Sequence, residues 1–253
     1  MVRLTLFYFS ILLLSLAQSA KAQKWVNISY PWSFVEHNAA AEMIDDTRDY
    51  FVYGTARGIL YFMERDRASG LLKAMRQREV WAPVKELRAA DVTGDHNPEL
   101  IATTRRGDLF VINLGNLEDI WRTPEGFFSS ITTFTVADVD ADGKTEIVMI
   151  ADDRLVIMTG DEETEEYRST EEYLASQIIV ADVDNDSQDE IVLNTGQVLD
   201  AQFRQLEWAF RTSFGEKIDV FDIDGDGNLE IVGINAAGDI QIIEADERRV
   251  KFE

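Results

Sequence analysis

Apolar residues in this chain come in short runs split by acidic or glycine-containing turns. Glu146-Ile147-Val148-Met149-Ile150 leads through Asp152-Asp153 to Arg154-Leu155-Val156-Ile157-Met158. Leu100-Ile101-Ala102 leads through Arg106-Gly107-Asp108 to Leu109-Phe110-Val111-Ile112, and Ile231-Val232-Gly233-Ile234 leads through Gly238-Asp239 to Ile240-Gln241-Ile242-Ile243. β-branched runs of about four to six residues between such turns predict hairpins of strands. Each hairpin follows an acidic segment and precedes an aromatic residue: Trp121, Tyr167, Phe210 and Phe252. A basic residue and a hydroxyl follow in Arg122-Thr123, Arg168-Ser169 and Arg211-Thr212.

The acidic segments are nearly identical. They begin at Asp91, Asp138, Asp182 and Asp222, at intervals of 47, 44 and 40 residues. A repeat of this length, with about four strands per unit, predicts an all-β propeller of four-stranded antiparallel blades. A worn fifth copy precedes them. Asp49–Gly54 and Arg57–Met63 match the hairpin, Trp81 matches the aromatic, the acidic loop is missing, and Glu64–Arg78 reads as a short helical insertion. The expected blades cover 39–84, 85–124, 131–170, 176–213 and 216–253. A closed ring is expected, because unpaired strand edges invite aggregation; an open arc that dimerises is the alternative. Lys24–Ile28 resembles a further fourth strand ahead of the first blade.

The N-terminus follows a different pattern. Arg3, an apolar run from Leu4 to Leu16, and Ala20-Lys21-Ala22 read as a secretory signal peptide over residues 1–22, with the propeller at 23–253. The run is too short to span a bilayer, which takes about 20 residues. The expectation is therefore a secreted protein, extracellular or periplasmic, with no membrane span after cleavage.

Composition narrows the chemistry. The 253 residues carry 24 Lys plus Arg against 47 Asp plus Glu, a formal charge of −23, and no cysteine. Thiolate metal sites, disulfide scaffolds and cysteine hydrolases are excluded. Nucleic acid and anionic membrane would be repelled.

In Asp138, Asp140 and Asp142 the carboxylates alternate along a turn, and Gly143 permits a left-handed bend. With the carbonyl of Lys144 and the carboxylate of Glu146 they can form the oxygen cage that calcium prefers, six to eight ligands at about 2.3–2.6 Å. The corresponding sets are Asp182, Asp184, Asp186, Gln188 and Glu190, and Asp222, Asp224, Asp226, Asn228 and Glu230. A weaker set is Asp91, Thr93, Asp95, Asn97 and Glu99. About three calcium ions are expected, with the Asp91 loop as a fourth candidate. The EF-hand does not fit, because its twelfth position is Met149, Leu193 or Gly233 and the flanks are strands. A metal-free Asp-rich turn is the competing reading, but each like-charged pair at 4–5 Å repels by about 1 kcal/mol even in water. At millimolar calcium and a dissociation constant near 10⁻⁴ M, each ion stabilises the fold by about 1.4 kcal/mol, and three by about 4.

The motif Asp-x-Asp-x-Asp-Gly-x-x-Glu followed by Ile-Val, recurring about every 45 residues, resembles the FG-GAP or VCBS repeat. The resemblance implies a calcium-binding β-propeller of the integrin-α type. It also implies metal ligation by the acids at positions 1, 3, 5 and 9 and the carbonyl at position 7. Extracellular adhesion, glycan binding or assembly is the function it implies, with a protein or glycan partner. Integrin-type propellers have seven blades against the five seen here. The sequence contains no Gly-x-Ser-x-Gly, no His-Glu-x-x-His and no phosphate-binding glycine loop, so a non-catalytic module is expected over a polysaccharide lyase or hydrolase. A structural subunit of a cell-envelope assembly is the further alternative. Trp25, Trp81, Trp121 and Trp208 are read as blade packing rather than sugar platforms, and the acid-rich run from Asp161 to Glu172 as a solvated turn.

Overall fold

The computed structural model describes residues 38–45, 50–65, 69, 71–234 and 238–252. The signal peptide and the Lys24–Ile28 strand expected from the sequence lie outside them. Twenty strands form five antiparallel four-stranded sheets, and among the described residues there is no helix.

The first sheet holds β1 (Asn38–Asp45), β2 (Tyr50–Thr55), β3 (Ile59–Arg65) and β4 (Leu72–Glu79). The second holds β5 (Val84–Ala90), β6 (Glu99–Thr104), β7 (Leu109–Asn113) and β8 (Asp119–Arg122). The third holds β9 (Ile131–Ala137), β10 (Glu146–Ala151), β11 (Arg154–Met158) and β12 (Glu165–Arg168). The fourth holds β13 (Ile178–Ala181), β14 (Glu190–Leu193), β15 (Gln197–Asp200) and β16 (Leu206–Ala209). The fifth holds β17 (Lys217–Phe221), β18 (Glu230–Ile234), β19 (Ile240–Glu244) and β20 (Arg249–Phe252). Strands pair in sequence order within every sheet, and the first strands β1, β5, β9, β13 and β17 contact one another in succession. This is a β-propeller.

The central strands are buried on both faces, so they read as continuous apolar runs rather than alternating ones. One face of each sheet packs on the next. Ile101, Leu109, Val111 and Trp121 of the second sheet meet Ile131, Phe134, Ile147, Met149 and Val156 of the third. Val148, Ile150, Leu155 and Ile157 of the third meet Ile178, Ile191, Leu193 and Leu199 of the fourth. The outer strand supplies an aromatic that reaches across the seam. Trp121 Nε1–H donates to Gly160 O at 2.8 Å. Tyr167 packs in the cluster that holds Ala201, and Trp208 in the one that holds Ala245.

Three expectations need correction. In the fourth sheet, Trp208, not Phe210, takes the register of Trp121 and Tyr167, because it pairs with Val198 as they pair with Val111 and Ile157. The β14–β15 ladder is shorter than the β10–β11 ladder: Ile191 pairs with Leu199, whereas its counterpart Ile147 pairs with Met158, so the aromatic comes earlier in the chain. In the first sheet, the described residues of the expected helical insertion are mostly strand: Glu64 and Arg65 complete β3, and β4 runs over Leu72–Glu79. A full antiparallel ladder from Ile59–Glu79 to Arg65–Leu72 pairs this backbone, and Arg76 lies over the Phe62 ring at 5.6 Å. Trp81 is not blade packing: it follows β4 at φ 53° and is 68% exposed.

Among the described residues, no contact on the scale of that between β1 and β5 joins β17 to β1. The outer face of the fifth sheet is open. Val232, Ile234, Ile240 and Ile242 hold the register positions of Val148, Ile150, Leu155 and Ile157. The latter four are fully buried, whereas Ile234 is 43%, Ile240 51% and the neighbouring Phe252 60% exposed.

Gly160 tests the seam. A Cβ there would meet the carbonyl oxygens of Thr145 and Val92. Gly160→Val is expected to destabilise the protein by about 2–3 kcal/mol through overpacking, measured as a lower urea midpoint.

Candidate metal centres

The acidic loops join the first strand of a sheet to the second, and four of them share one hydrogen-bond plan. The first aspartate accepts from the N–H of position 6, in Asp91–His96, Asp138–Gly143, Asp182–Ser187 and Asp222–Gly227, at 2.8–3.0 Å. The third aspartate accepts from position 7, in Asp95–Asn97, Asp142–Lys144, Asp186–Gln188 and Asp226–Asn228, at 2.8 Å. The glutamate at position 9 opens the second strand and is nearly fully buried in every copy. One oxygen of each accepts from position 2: Glu99 from Val92, Glu146 from Val139, Glu190 from Val183 and Glu230 from Ile223. These bonds fix the first and third aspartates and the glutamate of each loop.

The backbone takes left-handed φ at position 6 in every loop: 68° at His96, 88° at Gly143, 75° at Ser187 and 95° at Gly227. Glycine is the unstrained choice, so His96 and Ser187 hold the turn at a cost of about 1–2 kcal/mol.

Ligand atoms of Asp138, Asp140 and Glu146 lie within 4.8 Å of one another, as do those of Asp182, Asp184 and Glu190, and of Asp222, Asp224 and Glu230. Asp142, Asp186 and Asp226 are not in these clusters; one oxygen of each is engaged by the loop backbone. Among the described residues the Asp91 loop forms no such cluster.

The Asp138 and Asp182 loops fit a divalent cation. Asp138 Oδ1 and Asp184 Oδ1 are buried, and no protein donor reaches either. Glu146 is pushed up to about 7; burial is the largest cause, the Val139 N–H opposes it, and the charges of Asp140, Glu166 and Asp138 add to it. Glu190 is pushed up to about 8 by burial, against the Val183 N–H, with the charges of Asp184, Glu207 and Asp186 adding. Buried carboxylates in such company need either protons or a cation.

Glu166 and Glu207 were missed in the sequence. Each is the extra residue of a β-bulge in the outer strand, immediately before the aromatic. A bulge re-aims its side chain, and here it turns a carboxylate toward the adjacent loop. Burial raises the Glu166 pKa first, followed by the charge of Asp140; burial and then Asp184 do the same for Glu207. The acid-rich run from Asp161 is thus not only a solvated turn, since Glu165–Arg168 is β12 and Glu166 faces the loop charges. The available signal was an acid just before the aromatic of the repeat.

Comparison with known proteins places this geometry. Residues 91–149, from the second sheet's acidic loop into the strand after the third's, match the family model of the FG-GAP-like repeat. No curated protein matches the chain in sequence. In structure the chain is similar to BamB from Moraxella catarrhalis, at TM-score 0.56 and 14% identity over 84% of this chain and 63% of that one. It is also similar to Sqt1 from Saccharomyces cerevisiae, at TM-score 0.60 and 12% identity over 81% of this chain and 58% of that one. The chain therefore spans less than two thirds of either neighbour, and at these identities the likeness establishes fold alone. This chain is a β-propeller that carries an FG-GAP-like repeat at residues 91–149.

Proposed function

We propose that the protein is a secreted, calcium-stabilised, non-catalytic interaction module. The observation that carries the calcium part is the pair of buried glutamates, Glu146 and Glu190, each packed against further carboxylates. Asp138, Asp140 and Glu146 would hold one ion and Asp182, Asp184 and Glu190 another, with Glu166 and Glu207 adding negative charge beside them. The carbonyls of Lys144 and Gln188 complete the expected sets. The ion would neutralise the loops and fix the turn between the first two strands of each sheet; its role is structural. The signal-peptide pattern supports secretion, and an extracellular or periplasmic setting commonly supplies millimolar calcium.

The interaction part rests on the outer face of the fifth sheet. Ile234, Ile240 and Phe252 stand open where the repeat elsewhere buries the same positions. A protein partner presenting an apolar surface fits that face. Ile240→Asp is expected to abolish affinity capture of the partner while leaving the melt unchanged; capture retained by this variant moves the partner elsewhere. A glycan array with and without calcium tests the glycan alternative, and cleavage of an arrayed polysaccharide would make the protein an enzyme.

Two outcomes test the calcium reading. At a dissociation constant near 10⁻⁴ M, two ions contribute about 3 kcal/mol at millimolar calcium. Chelation is then expected to lower the melting temperature by about 6–12 °C in calorimetry, and an unchanged melt refutes the reading. The second outcome is a pH dependence. Folded pKa values of about 7 and about 8 stand above the ordinary glutamate value of 4.5. The metal-free fold therefore binds more protons than the unfolded chain between those values. Its stability is fullest below about 4.5 and falls as the pH rises through 7 and 8. In chelator, urea midpoints should decline over that window, and the gain from calcium should grow. Glu146→Gln with Glu190→Gln should flatten both trends.

A further inference from the structure

The third acidic cluster differs from the two before it by one residue in the outer strand. Lys251 takes the bulge position in β20 that Glu166 takes in β12 and Glu207 in β16, one residue before the aromatic. Its Nζ lies 2.5 Å from Asp224 Oδ2, 2.9 Å from Glu230 Oε1 and 3.2 Å from Glu244 Oε1. Three carboxylates thus converge on one ammonium, which has three protons to donate. The Glu230 side chain is 1% exposed and that of Lys251 24%, so this pairing is not a loose surface contact. Asp224 and Glu230 are two of the three acids whose ligand atoms cluster in this loop. The ammonium stands among the oxygens a metal ion would need. An entering divalent ion would have to displace it and leave it unpaired beside a like charge.

We propose that the Asp222 loop is neutralised by the chain's own cation, Lys251, and takes no metal ion, while the Asp138 and Asp182 loops do. The proposal rests on the calcium reading of those two loops. It makes the fifth sheet's loop independent of calcium. The bulge residue is then the selector: a carboxylate there adds to the demand for a metal ion, and a lysine removes it.

Lys251→Gln tests this on the full chain. Calcium titration by calorimetry should show about one more equivalent bound than in the parent. The variant's melt in chelator should fall below the parent's and recover when calcium is added. Lys251→Arg, which keeps the charge, should bind no additional calcium. No extra equivalent in Lys251→Gln overturns the proposal. Should neither protein bind calcium, the reading of the other two loops fails, and the chelator melt alone decides the lysine. A lowered melt then sustains its role as counter-ion, and an unchanged melt overturns it.

Discussion

Carboxylates held a few ångströms apart, with a buried glutamate among them, must be neutralised, and the Asp138, Asp182 and Asp222 loops of this propeller face that demand. The loops build their own problem. Backbone N–H groups pin the first and third aspartates, and a buried glutamate is fixed by the N–H at position 2. The geometry that closes the turn brings the remaining oxygens together. Protons, a divalent ion or a neighbouring ammonium can answer the charge, and they answer it with different dependence on pH and calcium.

The residue in the outer-strand bulge sorts the loops. It is Ile120 beside the Asp91 loop, Glu166 and Glu207 beside the next two, and Lys251 beside the last. Negative charge is added where the acids already cluster with orphaned oxygens, and positive charge where the cluster is closed from within. One irregularity in the sheet, repeated in register, thus gives a uniform fold loops of different ionic character.

Sheet packing follows an equally simple rule. An aromatic from the outer strands β8, β12 and β16 packs at the seam with a small residue from the following repeat, at Gly160, Ala201 and Ala245. Among the described residues no further sheet packs on the fifth in this way, and Phe252, Ile234 and Ile240 are exposed there.

The period, the hairpins, the acidic loops and the glutamate that opens each second strand were legible in the amino-acid order, because turn chemistry and strand patterning act over a few neighbouring residues. Pairing across strands was not legible. It decided that Trp208 rather than Phe210 fills the aromatic position, that Leu72–Glu79 is strand rather than helix, and that Trp81 faces solvent. The same holds for Glu166, Glu207 and Lys251. They stand about twenty residues beyond the loops they serve, and only the ladder with its bulge sets which loop each one meets. Local sequence could specify what each loop needed, but the charge supplied from an adjacent strand was set by three-dimensional register.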